Sequence, residues 1–254
     1  LLIRQDAIGD FMMWLDTAKE YRSLYPPDKY KIILAGNKIW CDLAEDLPYW
    51  DEVIPVDSIQ FKTFSRYRLN LLWQIRNLKA DTAIQPTFSR EFYNGDSLIR
   101  ASQATRKVSS VGNMTNRNWL KQFIADRWHT ELIPASSEPL TELERNAEFF
   151  SGLSHSPHLI SYPKLDIPEF WLSSEWKDEN FYVLIPGTSG TVVGKEWPAS
   201  SFSNIAKKVY QQTGWKGIIC GAQQEHILGE QIRGQCDAPL QNLSGQTTLS
   251  ELAG

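Results

Sequence analysis

Short apolar segments alternate with longer segments of helical periodicity along this chain. The apolar segments of the first half lie at residues 1–4, 31–35, 52–56 and 82–85. Between them, apolar residues recur every three or four positions over residues 11–25, 39–47 and 64–78, which is the spacing of one helix face. Strands that alternate with helices through short connections predict a parallel sheet covered by helices on both faces.

A second series of the same kind follows a stretch in which prolines accumulate. Its apolar segments lie at residues 181–185, 217–220 and 241–243, and its helical segments begin at Pro198 and at Glu225. We therefore predict an α/β fold of two doubly wound domains, at residues 1–155 and 179–254, joined by a linker at residues 156–178. Thr248 and Glu251 form a capping box for one more helix just where the chain ends, so we expect the second domain to be incomplete.

Composition places the chain among ordinary globular proteins. Of its 254 residues, 42% are hydrophobic and 22% are charged, and no apolar run approaches the roughly 20 residues that cross a bilayer. The three cysteines lack metal-binding spacing and no secretory leader is visible, which favours reduced thiols and a cytoplasmic location. Leu1 is not an initiator methionine, so we also expect residues upstream of it.

Charge is unevenly distributed along the chain. The net charge of −4 is too small to indicate a nucleic-acid partner, but residues 1–130 carry +3 and residues 131–254 carry −7. Two stretches of the first half, residues 58–80 and 97–125, each contain five Lys or Arg and no acid. They predict either a surface for an anionic partner or two solvated helix faces, and charge alone favours the second.

The first candidate site is the loop between the first strand and the first helix. Ligands of open α/β sheets bind beyond the carboxyl ends of the strands, where helix N-termini present free N–H groups. Gly9 permits a close approach of the backbone in this loop, and Asp10 carries a carboxylate that could serve as a general base. Asp is also a common N-cap residue, and the loop alone favours that capping role.

The second candidate site is the glycine-rich segment 186–198, which resembles a P-loop without matching one. Gly190 and Gly194 enclose three residues rather than four, and Lys195 is followed by Glu196 rather than by a hydroxyl residue. Glycine backbone, neighbouring hydroxyls and one cation together suit a diphosphate. A loose loop with a solvated lysine explains the segment equally well.

Other functional motifs are not supported. His155 and His158 are three residues apart but have no acidic or cysteine neighbour, so we expect no metal site there. The chain contains neither G-x-S-x-G nor G-x-G-x-x-G. The sequence therefore lacks the nucleophile motif of α/β-hydrolases and the phosphate-binding motif of dinucleotide-binding domains. We expect most of the ten tryptophans in cores or at a domain interface, with Trp197 beside the second loop.

Five segments, in order, resemble glycosyltransferase family nine, the ADP-heptose:lipopolysaccharide heptosyltransferases. They are Leu-Ile-Arg with Ile-Gly-Asp within residues 2–10, Trp-Asp-Glu-Val-Ile-Pro-Val at 50–56, Lys-x-Trp-Pro at 195–198, Cys-Gly-Ala-x-x-Glu at 220–225 and Asn-Leu-Ser-Gly-x-Thr-Thr-Leu at 242–249. The resemblance implies a GT-B fold, in which two Rossmann-like domains face a cleft. The first domain would bind mainly the acceptor and the second would bind the nucleotide sugar.

The resemblance also implies an activity and residue roles. The reaction would be an inverting transfer of heptose from ADP-heptose to a lipopolysaccharide-core acceptor, without metal or cofactor. By position, Asp10 would deprotonate the acceptor hydroxyl, Thr188, Ser189 and Lys195 would hold the diphosphate, and Glu225 would contact the nucleoside.

The acceptor implied by the resemblance is an anionic glycolipid at the inner membrane surface. Gly9 and the basic residues Lys62, Arg66 and Arg68 are assigned to it. With this acceptor in view, the basic stretches are better interpreted as a surface for an anionic partner than as solvated helix faces. Peripheral contact with the cytoplasmic face of that membrane is expected as well.

The chain departs from the family pattern at two places. Its loop before Lys195 is longer and richer in glycine, and the D-T-G-x-x-H element of the family is expected downstream of Gly254. Two functions stay open: an enzyme that uses Asp10 as a base, and a non-catalytic sugar-nucleotide-binding or scaffold protein of the same fold. The presence of Asp10 favours the enzyme.

Overall fold

A parallel sheet of six strands forms the first of the two units into which the chain divides, Leu1–Asp166 and Ile167–Gly254. The structure is a computed structural model that describes residues 1–165, 179–188 and 197–253. The strands of this sheet are β1 (Leu2–Arg4), β2 (Ile33–Asn37), β3 (Glu52–Val56), β4 (Thr82–Gln85), β5 (Arg106–Ser110) and β6 (Glu131–Ile133). Their order in the sheet is β3-β2-β1-β4-β5-β6. From β1 the chain first adds strands on one side and then, from β4 onward, on the other side, as in a doubly wound fold.

Helices cover both faces of this sheet. They are α1 (Ile8–Ala18), α2 (Tyr21–Leu24), α3 (Cys41–Glu45), α4 (Ser58–Lys62), α5 (Arg66–Asn77), α6 (Gly95–Ser102), α7 (Trp119–Asp126) and α8 (Glu142–Ser154). On one face, α5 and α6 pack on a core that includes Val56, Phe61, Leu71 and Ile75. α1 packs on α8, and the rings of Phe11 and Trp40 stack 4.1 Å apart.

Several element bounds differ from those predicted. The helix expected over residues 11–25 is two helices, α1 and α2, and the helix expected over 39–47 is a 3-10 turn followed by the short α3. The four elements from α6 to β6, which lie within residues 95–133, were not predicted at all. β5 shows why, since its sequence Arg-Lys-Val-Ser-Ser contains one apolar residue although three of its five residues are buried.

The second unit contains a smaller parallel sheet. Its described elements are β7 (Phe181–Leu184), α9 (Ala199–Thr213), β8 (Lys216–Ile219), α10 (His226–Gly234), β9 (Leu240–Asn242) and α11 (Leu249–Ala253), with strand order β7-β8-β9. Gly214, at φ +72°, ends α9 as predicted. The capping box before α11 is confirmed, because Glu251 Oε2 accepts from the Thr248 backbone N–H at 2.8 Å and Thr248 Oγ1 accepts from that of Glu251 at 3.2 Å.

The described part of the predicted linker, residues 156–165, stays within the first unit. Asp16, which is buried, accepts a hydrogen bond from the Ser161 backbone N–H at 3.1 Å and lies 3.4 Å from His158 Nε2. Residues 166–178 lie outside the described part, so the limits of the predicted linker stay a prediction.

The predicted α/β class is confirmed in both units. In the described ranges, no helix has the length and apolar content that a bilayer crossing needs.

Candidate functional site

A polar cavity of about 340 Å³ lies at the carboxyl edge of the first sheet. It sits where the strand order reverses, beyond the ends of β1 and β4, which is the place where open α/β sheets bind ligands. Side chains that follow β1 line it together with side chains that follow β4 and with the start of α8: Gln5, Asp6, Asp10, Thr87, Ser89, Glu91, Asn94 and Glu142.

Asp10 lies in the first turn of α1, exposed at this cavity. The N-cap residue of α1 is Ala7, and it makes no side-chain capping bond, so the capping role that the sequence favoured for Asp10 is wrong. A negative charge in the first turn interacts favourably with the helix dipole, so Asp10 stabilises α1 without capping it.

The other three carboxylates of the cavity are ion-paired. Asp6 Oδ2 lies 2.5 Å from Arg4 Nε, Glu142 Oε1 lies 2.7 Å from Arg4 Nη2, and Glu91 pairs with Lys62 at 2.8 Å. Asp10 contributes only its backbone carbonyl to Arg4, at 3.3 Å. Among the described residues, Asp10 is therefore the one carboxylate of this cavity that no cation holds.

Arg4 pairs with two of the carboxylates that line the cavity, Asp6 and Glu142. Its side chain is fully buried at the end of β1, and Nη1 donates to Asn146 Oδ1 of α8 at 2.8 Å. Burial raises the pKa of Glu142 although Arg4 opposes the shift, and the negative charges of Asp6 and Asp10 add to the rise. Arg4 thus fixes two carboxylates in place and links β1 to α8.

Two buried acceptors of the cavity have no partner among the described residues. Asn94 Oδ1 and Gln5 Oε1 accept no hydrogen bond, whereas the amide nitrogen of Gln5 donates to the Ala35 carbonyl at 2.7 Å. Because buried acceptors are normally satisfied, these two oxygens suit a ligand that brings hydroxyl donors.

Gly9 is exposed in the first turn of α1. A Cβ at this position would meet no atom within 4 Å, so nothing in the protein itself requires glycine there.

The structure separates the basic residues assigned to the acceptor. Lys62 pairs with Glu91, which lines the cavity, and Arg66 is exposed at the start of α5. Arg68 is buried instead, and its guanidinium donates to the Phe61 and Tyr93 carbonyls at 2.5 and 2.6 Å and to Ser97 Oγ at 2.9 Å. These hydrogen bonds hold α5 to α6 and to the loop after β4, and the assignment of Arg68 to the acceptor stays a prediction.

A buried ionic network supports the loop that follows β4. Arg90, from this loop, lies 3.5 Å from Asp96 and also pairs with Asp126, and Arg117 Nη1 lies 3.4 Å from Asp96. Burial and, after it, the positive charge of Arg90 lower the pKa of the neighbouring His129 to about 3, so this imidazole is neutral. The network anchors the segment that carries Thr87, Ser89 and Asn94 into the cavity.

In the second unit, Glu225 lies at the carboxyl edge of the sheet. A Cβ on Gly187, after β7, would lie 1.7 Å from Glu225 Oε1, and a Cβ on Gly221, after β8, would lie 2.3 Å from Oε2. Glu225 Oε2 also accepts the Ala222 backbone N–H at 2.6 Å. The glycines therefore let this carboxylate reach the loop that leads to Thr188.

The remaining residues of the predicted diphosphate site cannot be placed in this way. Ser189 and Lys195 lie outside the described residues, and Thr188 is the last described residue before them. Within the described ranges, no group of three or more His, Cys, Asp or Glu side chains is arranged to hold a metal ion.

The sequence did not single out Arg4, Asp6, Glu142 or Asn94. A charged residue at the end of an otherwise apolar strand was a usable signal for Arg4, because a buried guanidinium requires carboxylate partners. Nothing local indicates that Glu142, far along the chain, supplies one of them.

Comparisons with known proteins bear on the family and on the fold. The model of glycosyltransferase family 9 (heptosyltransferase) matches residues 140–254. No curated protein matches the chain by sequence.

Solved structures match the whole chain in fold. The glycosyl transferase family 9 protein from Veillonella parvula DSM 2008 is 16% identical with a TM-score of 0.77, over 99% of this chain and 70% of that one. The E. coli ADP-heptose lps heptosyltransferase II is 17% identical with a TM-score of 0.70, over 99% and 74%. E. coli heptosyltransferase WaaC with ADP-2-deoxy-2-fluoro heptose is 14% identical with a TM-score of 0.74, over 99% and 78%.

At these identities the structural likeness establishes the fold, and the predicted GT-B class is confirmed. The family model, at residues 140–254, and the shared fold, over 99% of the chain, together confirm the predicted resemblance to glycosyltransferase family 9, the heptosyltransferases.

Proposed function

We propose that the chain is an inverting glycosyltransferase that transfers heptose from ADP-heptose to a lipopolysaccharide-core acceptor. The observation that carries the proposal is Asp10, an exposed carboxylate free of any cation pair in the described part, at a polar cavity on the switch point of the first sheet. A general base must turn a free oxygen toward the acceptor hydroxyl, and a carboxylate fixed in place by a guanidinium has less freedom to do so. Asp6 and Glu142 are held in this way by Arg4.

The proposed reaction is a single displacement. The acceptor hydroxyl oxygen attacks the anomeric carbon of the sugar while the bond from that carbon to the diphosphate oxygen breaks. The electron pair of that bond leaves with ADP, and the hydroxyl proton passes to Asp10. Attack opposite to the leaving group inverts the anomeric configuration.

On the donor side, the leaving diphosphate gains negative charge that preorganised donors can stabilise without a metal. We assign this role to Thr188, Ser189 and Lys195, and contact with the nucleoside to Glu225. The solved heptosyltransferases with ADP and with ADP-2-deoxy-2-fluoro heptose support a nucleotide-sugar donor. No cofactor is proposed.

On the acceptor side, the partnerless oxygens of Gln5 and Asn94 suit sugar hydroxyls. We also assign Lys62, which pairs with the lining residue Glu91, and the exposed Arg66 to the acceptor. Gly9 offers a test of this side that leaves the fold intact, because a Cβ there meets nothing in the protein. If the acceptor passes over Gly9, Gly9→Ala raises the acceptor KM without changing stability or donor binding. An unchanged acceptor KM removes Gly9 from the acceptor site.

A non-catalytic sugar-nucleotide-binding or scaffold protein is the second candidate. It would keep the donor site but has no use for a free carboxylate at the other site, which is why Asp10 favours the enzyme.

The test is product formation by the intact protein. Incubation with ADP-heptose and lipopolysaccharide-core acceptors should release ADP, yield a product with inverted anomeric configuration by NMR, and proceed equally after chelation of divalent metals. Tight ADP-heptose binding without ADP release with any acceptor would select the non-catalytic candidate. Loss of turnover on chelation would refute the metal-free step.

A further inference from the structure

Helix α5 presents apolar side chains on two opposite sides. Leu71 and Ile75 are buried against the core, as in any helix that covers a sheet. On the outer side, Leu69 and Trp73 are 66% and 69% exposed, one helical turn apart. Phe64, just before the helix, is 92% exposed. Large apolar side chains grouped on a surface in this way indicate a face that is covered by something else.

Cations flank this apolar stripe. Arg66 and Arg76 lie three residues before Leu69 and three after Trp73, so all four share the outer face of α5. All four lie within residues 58–80, a stretch that contains no acid. In the described part of the chain, neither arginine is ion-paired.

A second cavity, of about 460 Å³, opens beside the stripe in the groove between α5 and α6. Its walls bring together the two acid-free stretches, and no carboxylate lines it. Trp73 and Arg76 come from α5, Arg100 comes from α6, and Trp128 follows α7 with its ring 4.8 Å from the Arg100 guanidinium. Guanidinium groups and indole rings at a surface groove suit a phosphate at the boundary between water and hydrocarbon.

We propose that this α5–α6 face, formed by Arg66, Leu69, Trp73, Arg76, Arg100 and Trp128, docks the chain on an anionic lipid membrane. The apolar side chains would enter the interface while the arginines bind lipid phosphates, with one phosphate in the second cavity. Charge complementarity selects this occupant. A symmetric dimer through the same face would place each cationic stripe against its copy, which is repulsive.

The docking face adjoins the first cavity. Asn94, at the N-cap of α6, lines the first cavity, and Ser97, in the first turn of α6, lines the second. A chain docked through this face would therefore hold its Asp10 cavity next to the lipid surface. Docking would bring the chain to the membrane that holds the proposed glycolipid acceptor, and in this respect it rests on the proposed function. Docking is measured without sugar transfer, so either proposal can fail while the other stands.

The experiment is cosedimentation of the intact protein with vesicles of phosphatidylcholine alone and of phosphatidylcholine with phosphatidylglycerol. Binding should require the anionic lipid and should weaken as salt rises. Trp73→Ala should weaken binding about tenfold, the loss expected when one aromatic side chain no longer enters an apolar phase. Arg76→Gln should weaken it about fivefold at low salt.

Matched control variants come from the second unit. Trp215→Ala removes another exposed tryptophan, and Lys208→Gln removes another exposed cation, and both should bind vesicles like the parent. Equal binding to both vesicle types, or losses as large for the controls as for Trp73→Ala, would overturn the proposal. A dimer in sedimentation velocity that Trp73→Ala dissociates would overturn it too, by assigning the face to a second copy of the chain.

Discussion

Replacing Arg4 with methionine should lower the free energy of unfolding of the first unit by about 3 kcal/mol at neutral pH. Arg4 is fully buried and is the common partner of Asp6, Glu142 and Asn146. Methionine fills much of the volume of the arginine stem, so the loss reports the charge and hydrogen bonds rather than a cavity.

The magnitude follows from the exposure of the partners. Removing one member of a buried ion pair costs about 3 to 5 kcal/mol, because the remaining charge is buried and unpaired. The Asp6 and Glu142 side chains are 16% and 33% exposed, so water recovers part of their solvation and places the loss near the lower end. The loss should shrink as the pH falls through the raised pKa of Glu142, because a protonated carboxyl group needs no cation.

Urea unfolding followed by tryptophan fluorescence measures this change, with Arg22→Met as the control. Arg22 pairs with Asp51 at 3.0 Å, but their side chains are 18% and 36% exposed, so its removal should cost about 1 kcal/mol or less. If Arg4→Met costs no more than Arg22→Met, or costs more at acid than at neutral pH, Arg4 does not hold the cavity together as described.

Three further predictions concern the two sites. Because the pKa of Glu142 is raised in the folded chain, its stabilising contribution is present at acid pH and is lost as the pH rises through that value, so Glu142→Gln should flatten this part of the stability profile in urea titrations. Gly187→Ala would place a Cβ 1.7 Å from Glu225 Oε1 and should weaken ADP binding in calorimetry, whereas Gly234→Ala, whose Cβ meets nothing, should not. Lys195→Ala should weaken ADP binding about tenfold and leave adenosine binding nearly unchanged, and equal losses for both ligands would assign Lys195 another role.

The sequence predicted the architecture best where periodicity was strong. β3, β4 and α5 lie close to their predicted positions because apolar residues follow the period of each element. β5 and β6 escaped prediction because polar residues dominate them, and their burial arises from the neighbouring strands and helices. The expectation that most tryptophans lie in cores or at a domain interface does not hold for Trp73 and Trp119, which are exposed.

Some residues of the candidate site could be singled out from the sequence alone. Gly9 and Asp10 could be found because they lie in a local strand-to-helix loop, and Glu225 because it follows a strand in a recognisable segment. Within the residues that the structure describes, Asp10 is unpaired because Arg4, at the end of β1, pairs with Asp6 and with Glu142 of α8 instead. This arrangement exists only after the chain folds. The burial of Arg68 was equally hidden, because a basic stretch shows the charge of a residue but not its direction.

The most direct test of the proposed base is the rate of a single turnover by Asp10→Asn in the intact protein, with Glu142→Gln as the matched carboxylate control. Asparagine keeps the shape of Asp10 but cannot accept the acceptor proton, so the rate should fall about 10²-fold or more while ADP-heptose binding stays unchanged. Glu142→Gln should keep the rate within about tenfold of the parent, because Glu142 is held by Arg4 and takes no proton from the acceptor. A parental rate for Asp10→Asn, or a larger loss for Glu142→Gln than for Asp10→Asn, would contradict the assignment of Asp10 as the base.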